Sequence, residues 1–496
     1  MAKSTDFRYN TGATRVPWPA VGENYNKEDL MAVIRFLMKG EGEEYEAAIK
    51  AVEAEVEKLD KLSTPPGKLS LGPNVEAAEA ACDAYLKTTG STFVANATAG
   101  FEIAYKYANL QPGDEVIVPA ITFIATMAYP LSVGAKLVFA DLDPKTCNMD
   151  PKDVERKITP KTKMIVPVHI GGYPCDMDAI MEIANKHDIL VLEDAAHAFG
   201  AMYKGKMIGT IGHFGAFSFH EVKNCTSFGE GGIVCTNVDA FRPYMKRSRF
   251  FGCNFDTPIK NWLYDVNAMP GKYGPFVALN SSTTEIQGLG LKLQVERYDK
   301  ILAERKAAAE YVTKRLEGNP AIIPQDVNNP DVVPTYHLYL LEIDPAKAGG
   351  DVQTLKAKLT EKGVTNIPHF GPLFHFDILK TYGYDMDEIA KTCPVCEDLF
   401  NNRFTHLPIY GLSGEQLEYM CDAILESVAE MQAGKYAFRN YHLPPPCKSR
   451  TQTPNLPLMQ QPYAPKRHRA VYRPPSRREG EKQPRQPTIF SAVDGA

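Results

Sequence analysis

The sequence lacks any apolar run approaching the roughly 18 residues that span a bilayer. Its N-terminus, MAKSTDFRYN, has no apolar core typical of a signal peptide. The ten cysteines show no paired framework, and the close pair in CPVC at 393–396 has no second pair at the spacing of a zinc site. We therefore expect a soluble, cytoplasmic protein with reduced thiols, no metal site and no contact with a membrane.

The C-terminal segment, residues 441–496, has few acidic residues and no apolar periodicity. The segment holds ten Lys and Arg, three Asp and Glu, and eleven Pro. It cannot repay the entropy of ordering by burying apolar surface, so we predict a disordered tail that is dispensable for catalysis. A basic tail suits nucleic acid or a membrane surface, but its composition alone favours a solvated tail, and nucleic acid is not an expected partner.

The rest of the chain alternates short β-branched segments with helical ones. This alternation is typical of a mostly parallel sheet covered by helices on both faces, and so of the α/β class. The seven predicted strands are 93–95, 115–119, 136–140, 163–168, 189–193, 216–219 and 233–236.

A long helical stretch at 284–317 and fewer strands after it predict a smaller second α/β domain. At roughly 100 to 200 residues per domain, the length of 496 residues agrees with more than one domain. The predicted division is an N-terminal helical segment (1–70) that contains an inserted helix at 39–62, a large domain (71–300), a small domain (301–435) and the tail.

Polar residues follow the carboxyl ends of several predicted strands, where parallel α/β sheets bind ligands. Thr98 opens a helix whose free N–H groups suit a phosphate, and Ser218 adds a donor. Asp194 is placed to keep a pyridine nitrogen protonated, and Lys223 to form an imine. Phe123 would stack on the ring. Together these residues predict a site for pyridoxal 5'-phosphate, with Lys223 and Asp194 as the catalytic pair.

The chain carries PGDEVIVPAITFIATM, KMIVPVHIGGYPCDMDAI, LEDAAHAFGAMYKGKMIG and FGAFSFHEVKNCTSFGEGGIVCTN in this order. The succession resembles the sugar aminotransferases of the DegT/StrS group, fold type I pyridoxal-phosphate enzymes, over approximately residues 71–427. The resemblance implies an aspartate-aminotransferase-like fold with a seven-stranded sheet. It also implies a homodimer with sites at the subunit interface, and transfer of an amino group to a keto-sugar.

The same resemblance assigns further roles. It implies that Ala99 binds the phosphate beside Thr98, and that His197 approaches the ring hydroxyl. Asn280, which has no obvious partner nearby in the sequence, matches the asparagine that reaches the phosphate of the neighbouring subunit. His369, in IPHFGPL, matches a histidine near the substrate. The resemblance implies the roles already given for Thr98, Phe123, Asp194, Ser218 and Lys223.

Three functions remain open. The first is amino transfer from glutamate or glutamine to a keto-sugar or related carbonyl acceptor. The second is a sugar dehydratase or lyase with the same cofactor; Lys223 argues against it, because the dehydrating branch of the family has histidine there. The third is a non-catalytic regulatory role, against which the complete set around Lys223 argues. Ser281 with Ser282, and Gly171 with Gly172, replace larger residues of the family, which predicts a differently shaped acceptor pocket.

Overall fold

The computed structural model describes residues 25–63, 68–254, 265–366 and 370–434. The predicted substrate residue His369 and the predicted tail at 441–496 lie outside these ranges. Within them, no helix combines the length and the apolar character needed to cross a membrane.

The strands form one large sheet and several small ones. The bounds are β1 (Thr92–Val94), β2 (Glu115–Pro119), β3 (Lys136–Ala140), β4 (Thr162–Ile165), β5 (Leu190–Asp194), β6 (Met202–Tyr203), β7 (Lys206–Met207), β8 (Phe214–Ser218), β9 (Gly232–Thr236), β10 (Cys253–Asn254), β11 (Asp265–Val266), β12 (Ile322–Pro324), β13 (Val332–Val333), β14 (Tyr339–Ile343) and β15 (Phe404–Leu407).

The helices cover these sheets. Their bounds are α1 (Lys27–Leu37), α2 (Glu43–Leu62), α3 (Pro73–Leu86), α4 (Ala97–Tyr107), α5 (Ala125–Ser132), α6 (Pro151–Lys157), α7 (Met177–Lys186), α8 (Met245–Ser248), α9 (Glu285–Val295), α10 (Tyr298–Leu316), α11 (Pro345–Ala348), α12 (Val352–Glu361), α13 (Ile378–Thr381), α14 (Met386–Thr392), α15 (Pro394–Asp398) and α16 (Gly414–Gln432).

The large sheet has seven strands in the order β1-β9-β8-β5-β4-β2-β3. The pairs from β8 through β5, β4 and β2 to β3 are parallel, and β9 runs antiparallel to both of its neighbours. Every strand of this sheet overlaps one of the seven predicted strands, so the prediction of a mostly parallel seven-stranded sheet is confirmed.

Both faces of the large sheet are buried. In β2, Val116 and Val118 pack into one apolar cluster and Ile117 into another. Side chains alternate across a strand, so these two clusters lie on opposite faces of the sheet. This arrangement brings the carboxyl ends of the parallel strands to one edge, where the predicted site residues lie.

The predicted helical stretch at 284–317 is two helices. α9 ends at Val295 and α10 begins at Tyr298, with Arg297 between them in a non-helical conformation. The ring of Tyr298 is fully buried and its hydroxyl donates to the carbonyl oxygen of Phe199 at 2.7 Å. This tertiary contact fixes where the second helix starts, and no glycine or proline at 296–297 announces the break.

A second sheet follows in the chain, with the order β12-β14-β15 and antiparallel pairing. Apolar residues of α10, α12 and α16 pack with it into a third cluster. The boundaries drawn at residues 300 and 435 stay predictions.

The N-terminal segment contains a pair of helices, and the predicted helix at 39–62 is observed as α2. Arg35 of α1 and Glu46 of α2 are joined by an ion pair at 3.1 Å. Within α1 and α2, only Met31 and Ile49 are buried.

Candidate active site

Asp194 ends β5 and is buried, with 4% of its surface exposed. Its Oδ2 accepts a hydrogen bond from Thr126 Oγ1 at 2.8 Å, and its Oδ1 accepts from the Ala196 amide at 3.2 Å. Burial raises the pKa of this carboxyl group, while these two hydrogen bonds and the charge of Lys223 act in the opposite direction. The carboxylate is therefore held in one orientation at the end of the sheet.

Lys223 lies in the turn that follows β8, and its backbone N–H donates to the carbonyl oxygen of His220 at 2.8 Å. Its side chain is half-buried. Burial lowers the pKa of the amine to about 8, against the opposing charge of Asp194. Since an ordinary lysine titrates near 10.4, an unusually large share of this amine is neutral, and so nucleophilic, at physiological pH.

The start of α4 forms the predicted phosphate end of the site. Asn96 caps the helix, because its Oδ1 accepts from the Ala99 amide at 3.0 Å. That amide is thus already used by the cap, a contact that the sequence interpretation missed. The amides of Ala97 and Thr98 belong to the first helical turn, which has no carbonyl partner within the helix, and they are the donors left for an anion. The side chain of Thr98 is exposed.

Ser218 is brought towards this helix start through β9. It is the register partner of Gly232. A Cβ at Gly232 would come within 2.4 Å of the Asn96 carbonyl carbon, so β9 passes directly against the backbone at the start of α4. The Ser218 hydroxyl accepts from the His220 amide at 3.4 Å and retains its own proton to donate.

Phe123 lies at the turn between β2 and α5. Its side chain is 60% exposed, whereas Thr122 and Thr126 on either side are buried. Because Thr126 binds Asp194, this turn brings Phe123 to the same end of the sheet as the carboxylate. A large exposed aromatic ring here agrees with a stacking role on a bound ring.

His197 follows Asp194 by three residues and is buried. Its ring stacks on His337, with ring centroids 4.4 Å apart and planes inclined by 26°, and it also contacts Phe370 at 5.4 Å. His337 was not among the predicted site residues. A histidine in the polar start of the apolar run TYHLYLLEI is the only signal for it in the sequence.

Asn280 lies in the segment before α9 and is exposed. The expectation that it has no local partner is wrong, because its Oδ1 accepts from the amide of Ser282 at 3.0 Å and from the Ser282 hydroxyl at 2.6 Å. The two bonds occupy the oxygen and leave the NH₂ group of Asn280 as its donor. Ser282, one of the departures from the family pattern, therefore orients this amide.

These residues fit pyridoxal phosphate. A buried, oriented carboxylate suits a protonated pyridine nitrogen, and an amine whose pKa is about 8 suits an aldehyde. The open amides at the start of α4 with the Ser218 hydroxyl suit a phosphate. The donor set thus matches the three chemical ends of the cofactor.

Comparison with known proteins shows the family. The model of the DegT/DnrJ/EryC1/StrS aminotransferase family matches residues 51–425. The spore coat polysaccharide biosynthesis protein SpsC of Bacillus subtilis is 33% identical over 371 residues, which cover 73% of this chain and 91% of SpsC. GDP-perosamine synthase of Caulobacter vibrioides is 34% identical over 304 residues, 60% of this chain and 77% of that enzyme.

Among solved structures, the PLP form of the putative sugar aminotransferase Spr1654 from Streptococcus pneumoniae superposes with a TM-score of 0.64 at 28% identity. The match covers 76% of this chain and 97% of that one. The predicted aspartate-aminotransferase-like fold is confirmed. The chain belongs to the DegT/DnrJ/EryC1/StrS aminotransferase family, and it is a pyridoxal-phosphate-dependent aminotransferase.

Proposed function

We propose that this enzyme moves an amino group from glutamate or glutamine to the carbonyl of a keto-sugar, at a site completed by a second copy of the chain. The observation that carries the proposal is the juxtaposition of Lys223, an amine with a pKa of about 8, with the buried carboxylate of Asp194. The similarity to GDP-perosamine synthase supports a sugar as the acceptor.

The residues of the chain divide the work. Bound pyridoxal phosphate supplies the electron sink that stabilises negative charge at the carbon bearing the amino group. Asp194 holds a proton on the ring nitrogen. Lys223 Nζ accepts the proton from the α-carbon of the amino donor and carries it to the carbon on the other side of the transferred nitrogen. A pKa of about 8 suits both tasks, because neutral and protonated amine are both populated near neutral pH.

Binding groups surround this pair. The amide and hydroxyl of Thr98, with Ser218, hold the phosphate. The Ala99 amide contributes indirectly, because it donates to the Asn96 side chain that caps and orders the helix start. Phe123 stacks on one face of the ring, and His197 lies near the ring hydroxyl. We place His369 near the substrate on the family resemblance.

The exposed apolar surface near Asn280 supports a homodimer. Ile286, Leu289 and Leu293 of α9 are spaced along one helical face, and each exposes between 41% and 60% of its side chain. The opposite face of α9 packs on α3 so closely that a Cβ at Gly288 would lie 2.7 Å from the Val75 amide. A helix that is apolar on both faces requires a second partner, and a copy of the chain would bring the Asn280 amide to the phosphate of its neighbour.

Replacing the imine lysine tests the proposal. The purified enzyme with pyridoxal phosphate should absorb in the visible, and glutamate or glutamine should convert it to the pyridoxamine form. Lys223→Ala should lose the lysine-linked band and more than a thousandfold in turnover, since both the imine and the proton carrier are removed. Lys206→Ala, at an exposed lysine in β7, is the matched control and should retain both the visible band and the turnover.

Two outcomes would contradict the proposal. A Lys223→Ala enzyme that transaminates at the wild-type rate would remove the assigned role. Loss of water from a keto-sugar without consumption of an amino donor would instead support the dehydratase alternative.

A further inference from the structure

The segment at 335–338, which leads into β14, lies against the predicted cofactor side of the large sheet. The Thr335 hydroxyl donates to the carbonyl oxygen of His197 at 2.6 Å, and the Thr335 amide donates to the carbonyl oxygen of Gly172 at 3.1 Å. The Leu338 amide donates to the carbonyl oxygen of Gly171 at 3.2 Å. Three hydrogen bonds to main-chain carbonyl oxygens therefore fix this segment in place.

The two glycines make this close approach possible. Gly171 and Gly172 have φ of +60° and +87°. A Cβ at Gly172 would lie 2.0 Å from Thr335 Oγ1 and 2.8 Å from the His197 carbonyl oxygen. No other residue fits there without moving backbone. Packing against the 335–338 segment thus explains the small residues at 171 and 172, for which the sequence alone had suggested the shape of the acceptor pocket.

Asn224 connects the segment to the imine lysine, because it is the next residue after Lys223. Its side chain is buried, its Nδ2 donates to the Thr335 carbonyl oxygen at 2.9 Å, and its Oδ1 lies 2.9 Å from His337 Nδ1. The first bond settles the orientation of the amide, since only its NH₂ end can donate to a carbonyl. The oxygen end must then accept, so His337 carries its proton on Nδ1.

His337 in turn contacts the predicted ring neighbour. Its ring stacks on that of His197 at 4.4 Å. One buried amide therefore links the turn that carries Lys223 to the histidine that stacks on His197, over 113 residues of sequence.

We propose that Asn224 and His337 are positioning residues of the aminotransferase site, which together hold His197 by stacking and the Lys223 turn by hydrogen bonding. The inference rests on the proposed function of Lys223 and His197. Neither positioning residue needs to touch the substrate or the cofactor. Their effect is to fix the ring plane of His197 and the direction from which the Lys223 amine approaches.

The test uses the holoenzyme and three variants. His337→Phe keeps a flat ring for stacking but loses the Nδ1 proton donor. Asn224→Ala loses the hydrogen bonds of the amide, including those to Thr335 and His337, and the double variant combines the two losses. The first readout is the pH midpoint at which the visible band of the lysine-bound cofactor titrates. The second is kcat against KM for the amino donor. His187→Phe, at an exposed histidine that ends α7, is the matched control.

We expect each single variant to keep the visible band, with its pH midpoint displaced by about half a unit or more. We expect kcat to fall about tenfold, as one unsatisfied buried partner would cause, with KM for the donor within twofold of wild type. The double variant should be no worse than either single variant, because the two residues act as one unit. His337→Gln, which retains an N–H donor, should recover part of the loss.

A His337→Phe enzyme with the midpoint and kcat of the His187→Phe control would overturn the inference, as would fully additive losses in the double variant. Should His337→Phe not fold, Asn224→Asp takes its place in the same measurements, because it keeps the acceptor for His337 and loses the donor to Thr335. Wild-type midpoint and kcat in Asn224→Asp would then overturn the inference. Wild-type protein that neither binds pyridoxal phosphate nor transaminates would instead be a failure of the proposed function.

Discussion

At the residue scale, the site depends on an amine that is costly to bury. Lys223 has a pKa of about 8 because burial penalises its charged form, and Asp194 only partly compensates. Such a penalty lowers the stability of the folded protein while it leaves more of the amine neutral, a common exchange at functional sites. The pKa of Lys223 therefore bears on two quantities: the neutral fraction of the amine and the free energy of unfolding.

The cofactor-free protein should accordingly be more stable when Lys223 is replaced by methionine. The folded-state pKa lies below the unfolded value near 10.4, so the unfolded chain binds more protons between pH 8 and pH 10.4 and stability rises with pH through that window. The penalty is complete below pH 8, where Lys223→Met should gain up to about 3 kcal/mol in the free energy of unfolding. Urea denaturation at pH 7 and at pH 10.5 measures the difference.

The gain from Lys223→Met should nearly vanish by pH 10.5, where the amine is neutral in the folded state and about half of it is already neutral in the unfolded state. Lys206→Met, at an exposed lysine, should change stability little at either pH. An equal gain for Lys223→Met at both pH values would mean that packing of the methionine, and not the buried charge, is responsible.

At the element scale, a buried carboxylate joins two helices, α3 and α9, that pack against each other. Glu285, the first residue of α9, accepts hydrogen bonds from the amides of Gly72 at 2.7 Å, Asn74 at 2.8 Å and Val75 at 3.3 Å. These amides open α3, so the carboxylate both satisfies unpaired donors and lies at the positive end of the helix dipole. The start of α9 is thereby held against the start of α3.

Glu285→Ala should lower the free energy of unfolding by about 3 kcal/mol, because it leaves buried amides without an acceptor. Glu285→Gln should cost less, since one oxygen still accepts while the charge is lost. Glu296→Ala, at an exposed glutamate after the end of the same helix, is the control and should cost less than about 0.5 kcal/mol. Denaturant midpoints compare the three, and equal midpoints for Glu285→Ala and Glu296→Ala would contradict the capping role.

The elements differ in how far the sequence predicts them. All seven strands of the large sheet are recognisable because their apolar runs and the polar residues after them are local patterns. The break between α9 and α10 and the pairing of Asn224 with His337 are not, because each is set by contacts with residues far away in the chain. The same holds for the Ala99 amide: the sequence indicates an anion-binding helix start, but not that Asn96 claims one donor.

At the scale of the whole molecule, the described part of the chain has an exposed apolar surface on α9 and an exposed amide, that of Asn280, with a free donor. Ile286, Leu289 and Leu293 form a stripe on α9, the helix that follows Asn280 in the chain. The oxygen of Asn280 is occupied by Ser282, and its NH₂ group remains to donate. Neither feature is explained within one copy of the chain. Both are explained if the active unit is the homodimer proposed above.

Leu289→Lys should therefore give a monomer with greatly reduced turnover. The side chain is 41% exposed in the single chain, so lysine can be accommodated there without disturbing the core, whereas two lysines facing each other across a dimer would be buried with like charges. Light scattering on the eluting protein gives the mass, and the transamination rate at the same concentration gives the activity. Val333→Lys, at a 49% exposed position on β13, is the matched control and should remain dimeric and active. An active Leu289→Lys monomer would show that one copy of the chain suffices.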